Sequence, residues 1–447
     1  MNKKTFGRNL LFLILFSIPL TGWCQNKTES DQQEKMQWFK DAKLGIFIHW
    51  GIYAVDGISE SWAFYNGYVS HEDYMKQLDG FSAENYKPKA WAKLIKESGA
   101  GYAVITSKHH DGVALWDTQE DHYSVKNNTP AAEDVLTPFV KALRKNDLKV
   151  GIYYSLLDWS HPDYPGFTRK EQRYQSDSAR WNRFVKFNFN QLTEITQQFS
   201  PDLYWFDGDW EHSAQEWHAP EIRKLILDHN PNAIINSRLQ GYGDYATPEQ
   251  GLPITRPQSK YWELCMTMND SWGFQFNDKN YKTPNQVIRI FVDCIGMGGN
   301  LLLDIGPKAD GSIPAEQVEI LKELGRWTKK HSEAIYGNEA GIPLDHFYGR
   351  TTLSKDKTML YLFVDGKPNG PVVLKGIKNK IHRMYVVGNG TMLNFNIKGK
   401  LYWSQVPGIC YIDVPENTLD SQVTVIAVLL DGPIDLYREE GQVIESN

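Results

Sequence analysis

Pro201–Asp202–Leu203–Tyr204–Trp205–Phe206–Asp207–Gly208 is a short apolar run that ends on a carboxylate beside a glycine. A carboxylate at the end of a buried strand is costly unless it is hydrogen-bonded or does chemistry. Three other runs have the same design, apolar first and polar at the end: Leu44–Gly51 (LGIFIHWG), Tyr102–Gly112 (YAVITSKHHDG) and Lys149–Trp159 (KVGIYYSLLDW). The repetition predicts one pocket ringed by strand ends, with Asp207 inside it.

Further strands are expected at Ala233–Ser237, Trp262–Thr267 and Leu301–Ile305. All are short and apolar, as in parallel strands buried on both faces. Between them lie amphipathic stretches: Pro88–Ser98, Glu133–Lys145, Arg180–Phe199, Ala219–His229, Thr283–Ile295 and Ala315–Tyr336. Thr283–Pro284 reads as an N-cap followed by proline at the first helical position. Seven or eight such units over about 300 residues predict an irregular (β/α)8 TIM-like barrel. Leu239–Tyr261 has no helical pattern and reads as a long, functional loop. From residue 341 the pattern changes to strands separated by Gly, Asn and Pro turns: Thr351–Lys355, Met359–Phe363, Val372–Leu374, Arg383–Val387, Lys400–Trp403 and Val423–Leu430. This predicts a C-terminal all-β sandwich over 341–447, after a catalytic domain over 25–340.

The N-terminus carries Lys3, Lys4 and Arg8 before the apolar core Leu10–Ile18, with a processing region at Pro19–Gln25. This pattern predicts a signal peptide over 1–24 and an exported, periplasmic protein without stable membrane insertion. Trp23 before Cys24 disfavours a lipid anchor, which usually needs a small residue there. The other cysteines, Cys265, Cys294 and Cys410, are widely spaced and read as buried free thiols. With 447 residues, a net charge of −6 and no basic stripe, nothing argues for a nucleic-acid partner. The 15 Trp, 23 Tyr and 20 Phe serve a packed core or the apolar faces of sugars.

In a barrel the active site lies at the C-terminal ends of the strands. The polar residues there include His49, His109, His110, Asp111, Tyr153, Tyr154, Asp158, Asp207, Asn236 and Arg238, with Asp244 and Glu249 in the following loop. No GxSxG elbow, P-loop or dinucleotide fingerprint is present. Two chemistries compete. Asp207 and a second carboxylate flank a glycosidic bond, or His49, His109, His110 and Asp207 hold a metal that activates water. Adjacent histidines on a strand face opposite ways, which counts against the metal. A third reading has the histidines only as hydrogen-bonding groups at strand ends.

The motifs LGIFIHWG, SKHHDG, GIYYS–LLDW, PDLYWFDG, INSR, YWELCMTMNDSWGF and GGNLLLDIGPKADGSIP, in this order over Lys35–Tyr336, resemble the α-L-fucosidases of glycoside hydrolase family 29. The resemblance implies a (β/α)8 barrel with a C-terminal β-sandwich, no cofactor and no metal. It implies retaining, exo-acting hydrolysis of terminal α-L-fucosyl residues on a fucosylated oligosaccharide or glycoconjugate. It places the nucleophile on Asp207 and substrate-binding roles on His49, Trp62, His109, His110, Tyr154, Trp205, Arg238 and Trp272. The family's Glu–Trp pair is interrupted here, since Ser61 separates Glu60 from Trp62. For the acid/base, Glu249 in the loop is favoured over Glu263, because loops after strands lie at the active face and strand starts at the opposite one. Asp244 is a third option. Alternative outcomes are an inactive fucose-binding, lectin-like relative, or a glycosidase for a closely related L-sugar.

Overall fold

The computed structural model describes residues 21–438 except 401 and 404; of the signal peptide expected over 1–24, residues 1–20 lie outside the described residues. Seven parallel strands form one curled sheet: β1 (Leu44–Ile48), β2 (Tyr102–Lys108), β3 (Lys149–Ser155), β4 (Leu203–Asp207), β5 (Ile234–Ile235), β6 (Glu263–Thr267) and β7 (Asn300–Ile305). Their order is β5-β4-β3-β2-β1-β7-β6. Nearly every residue in them is buried, because helices cover the outer face and side chains fill the inside.

The gap between β5 and β6 is closed by the stretch read from sequence as a plain loop. Residues 245–249 bridge both neighbours in parallel fashion: Asn236 with Tyr245, Ala246 with Trp262, and Glu249 with Cys265. Asp244 anchors this piece. Its carboxylate accepts from Lys35 Nζ (2.9 Å), Arg223 Nη2 (2.8 Å) and the Ile235 N–H (2.9 Å). The ring is thus complete, with an eighth strand-like segment and no helix before it. Asp244 has no free carboxylate oxygen to offer as an acid.

The helices follow their sequence signals. Thr283 caps Pro284–Gly296 in a full capping box with Gln286. The last barrel helix runs Ala315–Lys330 rather than to Tyr336, and gives way to a 3-10 turn at Ser332–Ala334. Cys265, Cys294 and Cys410 are free and buried.

Among the described residues, the C-terminal part holds two antiparallel sheets. The first contains β8 (Glu339–Ala340), β9 (Thr351–Leu353), β10 (Met359–Asp365), β12 (Ile381–Val386) and β15 (Val423–Leu430); the second contains β11 (Val372–Lys375), β13 (Phe395–Lys398) and β14 (Ile409–Ile412). Of the strand expected at Lys400–Trp403, Tyr402 and Trp403 lie in a turn, and β13 lies upstream of them. One face of the larger sheet, with Leu360, Leu362, Ile426 and Val428, packs on Val372, Leu374, Cys410 and Ile412 of the smaller. The other face, with Tyr361, Phe363, Val425 and Ala427, joins the barrel core. Burial on both faces explains why β15 is a continuous apolar run. The Trp327 indole N–H donates to the Val423 carbonyl (2.8 Å) across this junction.

Candidate active site

Asp207 ends β4 and is 8% exposed. Gly208 follows with φ +79, and a Cβ there would lie 2.4 Å from Leu157 Cγ. Only glycine makes this turn without strain. The side chain of Asn236 fixes β4 beside the very short β5: it accepts from the Phe206 N–H (3.0 Å) and donates to the Phe206 carbonyl (2.9 Å).

The Asp207 carboxylate is held from two sides. Arg238 Nη1 donates to Oδ1 (2.9 Å) and the Tyr153 hydroxyl donates to Oδ2 (3.0 Å). His110 Nε2 stands 3.7 Å from Oδ2. The other arm of the Arg238 guanidinium, Nη2, pairs with Glu249 Oε2 at 2.5 Å. One guanidinium therefore ties Glu249 to Asp207. Although burial opposes its charge, the two carboxylates hold Arg238 more firmly protonated than usual. Its cation also lies over the Trp205 ring, 4.6 Å from the centroid. Glu249 sits at the end of the bridging segment 245–249 with its side chain 40% exposed, against 12% for Asp207.

Three histidines surround this centre. His49 Nδ1 lies 2.7 Å from Asp304 Oδ1. Burial drives the His49 ring toward its neutral form and raises Asp304 in the same direction. The Ser61 hydroxyl meets Nδ1 of His109, and burial again keeps that ring neutral. Ser155 Oγ is 2.6 Å from His110 Nδ1, and burial, followed by His49, lowers His110 to about 3. Each ring has one nitrogen engaged by the protein, which fixes its orientation. Strand β2 ends at Lys108, so His109 and His110 follow the strand and escape its alternation; their ring centroids are 4.3 Å apart. Among the described residues no group of three or more His, Cys, Asp and Glu has metal-holding geometry.

The enclosed pocket is lined by Phe47, His49, Glu60, Trp62, His109, Tyr153, Trp205, Asp207, Trp210, Arg238, Glu249 and Trp272, around about 160 Å³. Most of the residues expected from sequence converge here. His110 stands behind the wall, against Asp207. Tyr154 does not belong: its hydroxyl points away, to Asn188 (2.8 Å), Gln191 (3.0 Å) and Lys108 (3.2 Å). Tyr153 takes its place. In the β3–β4 register Tyr153 pairs with Trp205 and Tyr154 with Phe206, so Tyr153 shares the inner face with Trp205 and Asp207.

Glu263 is also absent from the pocket. It is fully buried at the start of β6, where it accepts from the Tyr102 hydroxyl, Trp205 Nε1 (3.2 Å) and the Tyr245 hydroxyl (3.4 Å). Burial, partly offset by these donors, pushes its carboxyl up to about 7. It supports the pocket floor through Trp205 from below. Glu60, displaced from Trp62 by one residue, accepts from the Gly273 N–H (2.6 Å) and so pins the loop that carries Trp272. Phe47 and Trp210 were not singled out from sequence. Phe47 lies on β1 two residues before His49, and their ring centroids are 4.4 Å apart; its nearness to His49 in the chain was the available signal.

The family model described as Alpha-L-fucosidase matches residues 21–333. An Alpha-L-fucosidase of Branchiostoma floridae is 30% identical over 338 residues, covering 69% of this chain and 74% of that protein. The structure of Alpha-L-fucosidase isoenzyme 1 from Paenibacillus thiaminolyticus superposes with a TM-score of 0.81 at 34% identity, covering 90% of this chain and 100% of that one. A family 29 glycoside hydrolase from Bacteroides thetaiotaomicron superposes with a TM-score of 0.78 at 28% identity, over 89% of this chain and 96% of that one. That alpha-L-fucosidase was trapped as a covalent intermediate with 2-fluoro-fucosyl fluoride, using a glutamate-to-glutamine variant. On the match to the family model, the sequence identity and the shared fold, this chain belongs to the alpha-L-fucosidase family.

Proposed function

We propose that the protein is a retaining, exo-acting α-L-fucosidase that removes terminal α-L-fucosyl residues from glycans or glycoconjugates. The observation that carries this reading is the guanidinium of Arg238, which joins Asp207 and Glu249 in one enclosed pocket. Retaining glycosidases use two neighbouring carboxyl groups, and the shared guanidinium brings such a pair into one pocket. A volume of about 160 Å³ is below the roughly 300–1,000 Å³ of pockets for drug-sized ligands. It suits one sugar ring and favours attack at a chain end.

In the first step Asp207, held in place by Arg238 and Tyr153, attacks C1 of the fucosyl residue. The bond from C1 to the leaving oxygen breaks, and Glu249 gives that oxygen its proton. In the second step water attacks C1, its proton passes to Glu249, and Asp207 departs as a carboxylate. The exposure of Glu249 supports this division of labour, because its proton is replenished from solvent. The neutral rings of His49 and His109 suit uncharged hydroxyl groups, while Trp205, Trp272 and Phe47 offer apolar faces. The charged and apolar pattern of Lys3–Ile18 supports export to the periplasm as the setting.

Replacing the nucleophile tests the reading. Asp207→Ala should lower kcat on an aryl α-L-fucoside by about 10³-fold or more, and added azide should restore turnover, giving a β-fucosyl azide. Retention of full activity by this variant would sink the assignment.

A further inference from the structure

The small pocket opens beside a larger cavity of about 860 Å³, whose lining includes Tyr65, Arg169, Tyr174, Trp181, Glu211 and Trp210. Trp210 lines both spaces. It follows Asp207 by three residues, in the 3-10 turn Asp209–Glu211, so the strand end that presents the nucleophile also delivers this indole to the rim. Trp210 is 49% exposed, so its ring face is open to a ligand. It is nonetheless held in place, stacked on Trp62 (6.2 Å, 14°) and edge-on to His110 (5.8 Å, 86°).

The far wall is a built surface. Arg173 ties the loop together by donating to the carbonyls of Trp159 (2.7 Å) and Gly166 (2.6 Å). The Tyr174 hydroxyl donates to the Asp163 carbonyl (2.6 Å), and the Arg169 N–H donates to the Tyr65 carbonyl (2.8 Å). The carboxylates of this wall are engaged locally. Glu211 accepts from Tyr164 and Trp159, Glu216 accepts from Ser213, and Asp177 caps the helix Ser178–Phe199. The exposed side chains of Arg169 and Lys170 carry no ion pair among the described residues, and supply hydrogen-bond donors along the edge. Rigid aromatic rings alternating with such donors suit a sugar chain, which offers apolar faces and hydroxyl oxygens in turn.

We propose that this cavity receives the leaving group, an oligosaccharide of two or more sugars. The first sugar lies on Trp210, and the next ones run toward Trp181 and the Arg169–Lys170 edge. This rests on the fucosidase reading and adds to it that the natural substrate is an extended glycan.

The test compares an aryl α-L-fucoside with fucosylated trisaccharides covering the α-1,2, α-1,3, α-1,4 and α-1,6 linkages. Two alterations are made away from the small pocket, Trp181→Ala and the double change Arg169→Ala with Lys170→Ala. The double change lies at exposed positions and guards against a folding defect in the first. On the best trisaccharide kcat/KM should fall about tenfold in each variant, chiefly through KM, while the aryl fucoside stays within about twofold. Equal losses on both substrates, or no loss on either, overturn the cavity assignment. Failure of the unaltered protein to release fucose from any of these substrates overturns the fucosidase reading instead.

Discussion

Glu249 and Glu263 lie fourteen positions apart and both border the same barrel, yet their surroundings are opposite. Glu249 ends a strand-like segment, at the mouth, with solvent on one side and Arg238 on the other. Glu263 begins a strand, below the floor, in a dry cage of Tyr102, Trp205 and Tyr245. Tyr153 and Tyr154 repeat the contrast on a single strand. One hydroxyl reaches Asp207, and the other is spent on Asn188 and Gln191. Residue type does not separate the members of either pair. Strand direction separates the glutamates, and cross-strand register separates the tyrosines.

The sharpest way to break this contrast is to amidate each glutamate in turn. Glu249→Gln should lower kcat on a fucosylated oligosaccharide by about 10²–10⁴-fold. The loss should be smaller in the first step on an aryl fucoside with a good leaving group, where a burst of phenol marks the accumulating intermediate. Should Glu263→Gln produce that loss in place of Glu249→Gln, the two roles are reversed.

A smaller effect separates the tyrosines. A hydrogen bond to a charged group contributes about 1.5–3 kcal/mol, so Tyr153→Phe should lower kcat/KM by roughly 10- to 100-fold. Tyr154→Phe should leave kcat/KM within a few-fold and show its cost in urea unfolding. Equal kinetic losses in the two variants would erase the distinction between the faces of β3.

The smallest kinetic effect is expected at Glu263, whose signature is in stability. Its folded pKa, about 7, lies above the ordinary 4.5. The folded state therefore holds this proton more tightly, and the stabilisation is complete below about pH 4.5 and lost as pH rises through about 7. A shift of that size is worth about 3 kcal/mol. Urea unfolding of the unaltered protein and of Glu263→Gln at pH 5 and pH 8 should show the difference between them moving in favour of the unaltered protein at pH 5. A difference independent of pH would mean that Glu263 is already ionised in its cage.

Much of this was legible in the chain. The barrel strands fall within a residue or two of the apolar runs, because burial on both faces writes itself directly into composition. The eighth segment was not legible, because 245–249 contributes isolated bridges rather than a ladder and carries Pro248 and polar residues. Strand polarity placed Glu249 at the pocket end of the barrel, where the structure has it. Tyr153 could not be placed this way, since alternation admits either tyrosine until the pairing of β3 with β4 is known. Trp210 was hidden in a polar turn, where nothing in the pattern distinguishes a sugar platform from a surface aromatic.

The segment that closes the ring also joins architecture to chemistry. Asp244 clamps its start to Lys35, Arg223 and the β5 backbone, and Glu249 stands at its end. A local opening confined to this piece would displace Glu249 while leaving Asp207 on an intact β4. Any attempt to transplant this loop between relatives must carry the Asp244 clamp with it, or the graft arrives without its anchor.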